Sequence, residues 1–156
     1  MLADGSDVVA REAMLQGSLM AGMAFVNASV AAIHGLAYPL GARFHIPHGH
    51  ANALVMAPML RFNLEAARGL YAELAGYLLP GEVFADEAAA AQAFVVGIEA
   101  LVRDSGLELR LSKLGVDEAA IPGMAEDVVG GLKRLIDANP RDMDAREVEA
   151  IYRGIY

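Results

Sequence analysis

Between Ala13 and Ile33 the chain runs for 21 residues without a formal charge. A helix that is apolar on most of its sides has two destinations, a bilayer or the centre of a helical core. The make-up of this stretch favours the core. Ala, Gly and Met supply most of its apolarity, and Gln16, Ser18, Asn27 and Ser29 are distributed along it. No Trp or Tyr belt and no Lys/Arg cluster flanks it, as a membrane span would have. Gly17 and Gly22 lower helix propensity, which makes sense if another helix packs closely against them.

The rest of the sequence points the same way. No run of alternating β-branched and polar residues occurs, and no Asn-Gly hairpin turn. Helix signals are many. The spacing predicts a first long helix from about Ser6 to Ile33, with Ser6 or Asp7 as its cap. A loop is expected around Pro39–Pro47. A second helix, "HGHANALVMAPMLRFN", follows, kinked or ended by Pro58. Further helices are expected in "NLEAARGLYAELAGYLLPG" and in "DEAAAAQAFVVGIEALVRDSG", the latter opening on Asp86 and closing on Gly106. "LELRLSKLG" reads as a short helix, and "DEAAIPGMAEDVVGGLKRLIDANP" as one broken at Gly130-Gly131. Asp144 and Glu147 form a capping-box pair at the head of the last helix. The expected fold is all-α, a bundle of about seven helices in one domain covering residues 1–156.

Charge and cysteine usage narrow the function. A net charge of −8 argues against nucleic acid and against anionic membrane surfaces as partners. The absence of cysteine removes disulfides, thiolate metal sites and a Cys nucleophile. A cysteine-free acidic chain with no signal-peptide pattern suits the cytoplasm. Neither a "GxGxxG" nor a "GxxxxGK[ST]" phosphate loop is present, and no serine sits in a "GxSxG" context.

What stands out is imidazole. All four histidines, His34, His45, His48 and His50, fall within 17 positions. His34 is expected near the end of the first helix and His48 at the entry to the next, so they come from different elements and meet only if the intervening segment is rigid. Pro39, Gly41 and Pro47 restrict or permit special backbone angles there, and a metal site needs such rigidity. By spacing alone, a hydrogen-bonded core histidine or a helix-capping histidine is the commoner outcome, and a metal ligand the less common one.

The stretch "HGLAYPLGARFHIPHGHANALVMAPMLRFN" closely resembles the signature of iron-containing (group III) alcohol dehydrogenases, H-x-x-x-H-x-L-G-a-x-x-x-x-P-H-G-x-x-N-A. The similarity extends upstream through "AREAMLQGSLMAGMAFVNA" and downstream through "GVDEAAIPGMAEDV" and "NPRDMDAREVEAIYRGIY". The resemblance implies the C-terminal helical, dehydroquinate synthase-like domain of such an enzyme. Its partner would be an N-terminal α/β domain that binds NAD(P), which is expected to be absent from these residues. In the family a divalent metal, Fe(II) or sometimes Zn(II), is held by one Asp and three His. It polarises an alcohol oxygen while hydride passes to NAD(P)+, or polarises an aldehyde or ketone in reverse.

By motif position, His34 and His48 match the third and fourth metal ligands. The first two, an Asp and a His on an earlier helix, have no counterpart. Tyr38 stands where the family commonly has a second histidine lining the space where nicotinamide and substrate meet. It is the candidate catalytic residue; the alternative is a core or rim aromatic. A tyrosine still donates a hydrogen bond but is a poorer proton carrier near neutral pH. His45 and His50 match no ligand position and are expected in loop or surface settings. The chain is therefore expected to hold a partial metal site and to be inactive alone, completed by a complementary nucleotide-binding domain or associating as a homo-oligomer. The competing expectation is a non-catalytic, repurposed helical protein-interaction module.

Overall fold

The computed structural model describes residues 4–156. Among them there are eight α-helices, two short 3-10 turns and no strand. The all-α expectation holds, with one helix more than anticipated. The chain falls into two compact units, one ending at Val30 and the other spanning Ala31–Tyr156.

The first unit is a single helix, α1 (Val8–Ala28). Asp7 caps it, its carboxylate accepting the Ala10 N–H at 3.0 Å, which satisfies one of the open donors of a helix start. The helix ends five residues before the expected Ile33. Ser29 takes the left-handed region at φ 66°, and its N–H donates to the Phe25 carbonyl. Nothing in the local sequence announces this break, since Ser29, Val30 and Ala31 include neither Gly nor Pro. Within the first unit no described atom lies within 4 Å of a Cβ built at Gly17 or Gly22. No single described helix is long and apolar enough to cross a membrane.

The second unit holds α2 (Ala32–Phe44), α3 (His48–Asn63), α4 (Arg68–Leu78), α5 (Glu87–Asp104), α6 (Ile121–Gly131), α7 (Lys133–Asp137) and α8 (Ala145–Gly154). The loop expected over Pro39–Pro47 shrinks to three residues, because α2 runs through Pro39. Proline removes a helix hydrogen bond and crowds the preceding turn. Burial of Ala32, Gly35, Leu36, Ala37, Pro39 and Leu40 along one side of α2 outweighs that cost. Pro58 likewise lies inside α3 without ending it.

The main core joins α2, α3, α6 and α8, with Leu36, Leu40, Met59, Met124, Val128 and Tyr152 fully enclosed. Each such aliphatic side chain contributes about 1.5–3 kcal/mol by leaving water. The Tyr152 hydroxyl is satisfied inside this core, donating to the Leu36 carbonyl of α2 at 2.6 Å, and burial pushes its pKa well up. A smaller core between α4 and α5 is built on Ala67, Tyr71, Ala91 and Val95. These two helices approach so closely that a Cβ on Gly97 would meet Leu78 Cδ2 at 2.7 Å. The helix ends read from sequence are present: Asp86 caps α5, Gly106 follows it at φ 75°, and Asp144 with Glu147 forms the capping box of α8. The segment read as a short helix at Leu107–Gly115 carries a 3-10 turn at Leu111–Leu114, and the break near Gly130-Gly131 separates α6 from α7.

Candidate metal centre

Histidine 34 lies in the first turn of α2, not near the end of a long helix as the sequence suggested. Tyr38 follows at i+4, one turn along the same face. Since α2 turns its Leu36, Leu40 and Ala37 side chains into the core, His34 and Tyr38 keep the half-open side. At its far end α2 stops on His45, which adopts the left-handed conformation at φ 56°. The next residue, Ile46, is only 6% exposed and pegs the turn to the core. Pro47 then sets an extended entry, and His48 is the first residue of α3. A three-residue elbow with a buried apolar peg thus fixes α2 against α3.

This elbow brings His34 and His48 together. Their ring centroids lie 5.2 Å apart at an interplanar angle of 52°. Tyr38 completes a triangle, 6.3 Å from His34 in an edge arrangement and 6.0 Å from His48 in a near-parallel one. Two imidazoles sharing one cation, each nitrogen about 2.0–2.1 Å from it, have centroids about 5 Å apart. The centroid separation of the two rings is of the size that a shared divalent ion would require. Burial, and secondarily the neighbouring His48 ring, hold the His34 pKa below its ordinary value of 6.5. Its lone pair is accordingly available at neutral pH. Among the described residues no group of three or more His, Cys, Asp or Glu is placed to hold a metal.

One participant was missed by the sequence reading. Asn52 lies one helical turn beyond His48 and is only 9% exposed. Its side-chain N–H group donates to the His48 carbonyl at 2.9 Å and lies 3.2 Å from Nε2 and 3.5 Å from Nδ1 of the same residue. Its Oδ1 is buried and, among the described residues, has no hydrogen-bond partner. An orphaned buried acceptor of this kind costs about 1–3 kcal/mol. The i+4 spacing from His48 was the signal that would have found it.

The other two histidines do different work. His45 is exposed at the elbow. His50 donates from Nε2 to the Glu108 carbonyl at 2.6 Å, tying the first turn of α3 to the segment after α5. Tyr38 is 40% exposed, a rim residue and not a core one. It also lines a groove of about 530 Å³ between α2 and α6, floored by Pro39, Ala42 and Leu132 and edged by Glu126. Arg43 bridges the same two helices through an ion pair with Asp127.

Comparison with known proteins places this arrangement. The model of the Fe-containing alcohol dehydrogenase family, C-terminal, matches residues 1–156. The chain belongs to that family, as its C-terminal domain. It is 35% identical to long-chain-alcohol dehydrogenase 1 of Geobacillus thermodenitrificans over 155 residues, covering 99% of the chain and 39% of that protein. It is 36% identical to the 1,3-propanediol dehydrogenase of Klebsiella pneumoniae, covering 97% of the chain and 39% of that protein. Among solved structures, 1,3-propanediol oxidoreductase superposes with a TM-score of 0.89 at 36% identity, over 99% of this chain and 40% of that one. An alcohol dehydrogenase from Oenococcus oeni gives the same TM-score at 27% identity. The alcohol dehydrogenase domain described here thus spans about 39% of the length of the curated relatives it matches.

Proposed function

We propose that these residues form the metal-contributing helical domain of an NAD(P)-dependent alcohol dehydrogenase, oxidising an alcohol or reducing an aldehyde or ketone. His34 and His48 supply two ligands to Fe(II) or Zn(II). The observation that carries this reading is their convergence at 5.2 Å from two separate helices. Imidazole ligation suits both metals, and the ion, when bound, supplies Lewis acidity to the substrate oxygen. The domain's own share is to hold the two rings rigidly through the α2–α3 elbow. Tyr38 lines the approach, its hydroxyl placed at the rim to donate a hydrogen bond to the substrate or nicotinamide. Two imidazoles are short of the four ligands such a site uses. Turnover therefore requires further ligands and a nucleotide-binding part from outside residues 1–156. The long-chain alcohol, 1,3-propanediol and lactaldehyde in the relatives' names mark small to long-chain alcohols and aldehydes as the substrate class to try first.

Calorimetric titration of the 156-residue chain with Zn(II) tests the reading. Weak binding is expected, lost in His34→Ala and in His48→Ala. Equal binding in both variants and in the unmodified chain would remove the metal role from this pair. NAD(P)-dependent turnover by the 156-residue chain alone would refute the need for a complementary part.

A second reading, a protein-interaction module, draws on α1. Among the described residues of its own unit this helix has no partner, and Leu15, Leu19, Met20, Met23, Phe25 and Val26 are exposed along it. Exposed apolar area of this kind marks association surfaces. Light scattering coupled to size exclusion separates the cases: a monomer at all concentrations counts against self-association through α1.

A further inference from the structure

We infer that Tyr152 is a positioning residue for the histidine pair, its buried hydroxyl fastening the proline-weakened turn of α2 that carries His34 and Tyr38. This deepens the proposed metal role of His34 and His48 and rests on it. The turn is weak for a covalent reason. Pro39 lies inside α2 and has no N–H, so the Gly35 carbonyl loses the donor that a regular helix supplies four residues on. The gap falls between the attachment points of the two rings: His34 stands before it, and the elbow leading to His48 comes after it. A helix bends most readily at such a place. Bending there would change the separation of the two imidazoles.

Two contacts stiffen this turn from outside the helix. Gly35 admits α7 so closely that a Cβ on it would lie 3.5 Å from Ile136 Cδ1 and 3.7 Å from Leu135 Cβ. This contact is apolar and has no preferred direction. The Tyr152 hydroxyl of α8 adds direction, donating at 2.6 Å to the carbonyl of Leu36, the residue after Gly35. Burial raises the Tyr152 pKa, so the hydroxyl stays a donor across the neutral range. Leu36 faces the core, and His34 and Tyr38 stand two residues to either side of it, about 200° round the helix. The hydroxyl therefore grips the turn from behind while the rings keep the half-open side. Tyr152 is fully enclosed, and phenylalanine would fill the same space without that grip.

The test measures Zn(II) affinity by calorimetry, and amide hydrogen exchange in α2 and α3, on the 156-residue chain. Four proteins are compared: unmodified, His48→Ala, Tyr152→Phe and Asn63→Leu. Tyr152→Phe loses only the hydroxyl. Its affinity is expected to fall roughly tenfold, the low end for a group that orients a metal ligand, and exchange should quicken more in α2 than in α3. Asn63→Leu also gives up a buried hydrogen bond, but to Asn139 and away from α2, so it controls for general destabilisation and should keep the unmodified affinity. Unchanged affinity in Tyr152→Phe overturns the positioning role, and so does an equal loss in Asn63→Leu. If the unmodified chain binds no better than His48→Ala, the metal reading itself fails, whereas the exchange pattern still decides whether Tyr152 holds the turn.

Discussion

Two asparagines on the same helix show how differently one side chain can be used. Asn63, at the C-terminal end of α3, is 4% exposed and reciprocally bonded to Asn139. Asn139 in turn donates to the Arg141 carbonyl at 2.7 Å. The Arg141 guanidinium stacks on Phe62 at 3.9 Å and bonds Glu147, the partner of the Asp144 cap in the capping box of α8. Every amide group there has a partner, and the result is a fastening between α3 and α8. Asn52, three turns earlier and similarly buried, has a donor in use and an acceptor idle. A satisfied buried amide reads as architecture. A half-satisfied one, bonded only to His48 of its own helix among the described residues, fastens no second element.

The comparison is easiest to break by making the same change at both ends. Asn63→Leu orphans the Asn139 amide, and a loss of about 1–3 kcal/mol in denaturant-unfolding stability is expected, with Zn(II) affinity unchanged. Asn52→Leu gives up one hydrogen bond, to the His48 carbonyl within the same helix, and relieves an acceptor that lacks a partner, so its stability should change by less than about 1 kcal/mol. Equal destabilisation at the two sites would erase the contrast. The Arg141–Glu147 pair is partly exposed, and such pairs contribute about 0–1 kcal/mol. Arg141→Met should therefore cost less than Asn63→Leu in the same assay.

Acid sharpens the contrast from the histidine side, with the smallest effect. His34 in the folded chain takes a proton less readily than the unfolded chain does at its ordinary value of 6.5. The unfolded state therefore binds more protons, and this contribution to stability is present above pH 6.5 and lost as the pH falls below it. The slope should flatten in His34→Gln, measured as unfolding free energy from pH 7.5 to 5, whereas Asn63→Leu should shift the whole curve without changing its slope. An unchanged slope in His34→Gln would show that burial of this ring is not what links it to pH.

Much of the fold was legible because helix ends announce themselves chemically. Asp86, Asp144 with Glu147, and Gly106 mark their termini through side-chain oxygens and a left-handed glycine. The helices were misjudged where packing overrules local preference. Ser29 ends α1 although nothing in its side chain demands a stop, and Pro39 sits inside α2 because that face is buried. The ligand candidates were legible from residue type and the long signature. Their convergence followed from the resemblance, but the means did not: Ile46 enters the core and His45 takes a left-handed turn, which sequence patterns do not register. Asn52 was visible as a letter of the signature, yet its contact with His48 emerges only once both lie on one helix.

The three-residue elbow between α2 and α3 has an evolutionary corollary. Beyond its buried Ile46 and the rings it brings together, what it constrains is length. One residue inserted in α2 after His34 would rotate everything downstream by about 100° about the helix axis, carrying His48 off the shared face. Natural variants of this domain should therefore show insertions and deletions elsewhere, with the count from residue 34 to residue 48 held constant.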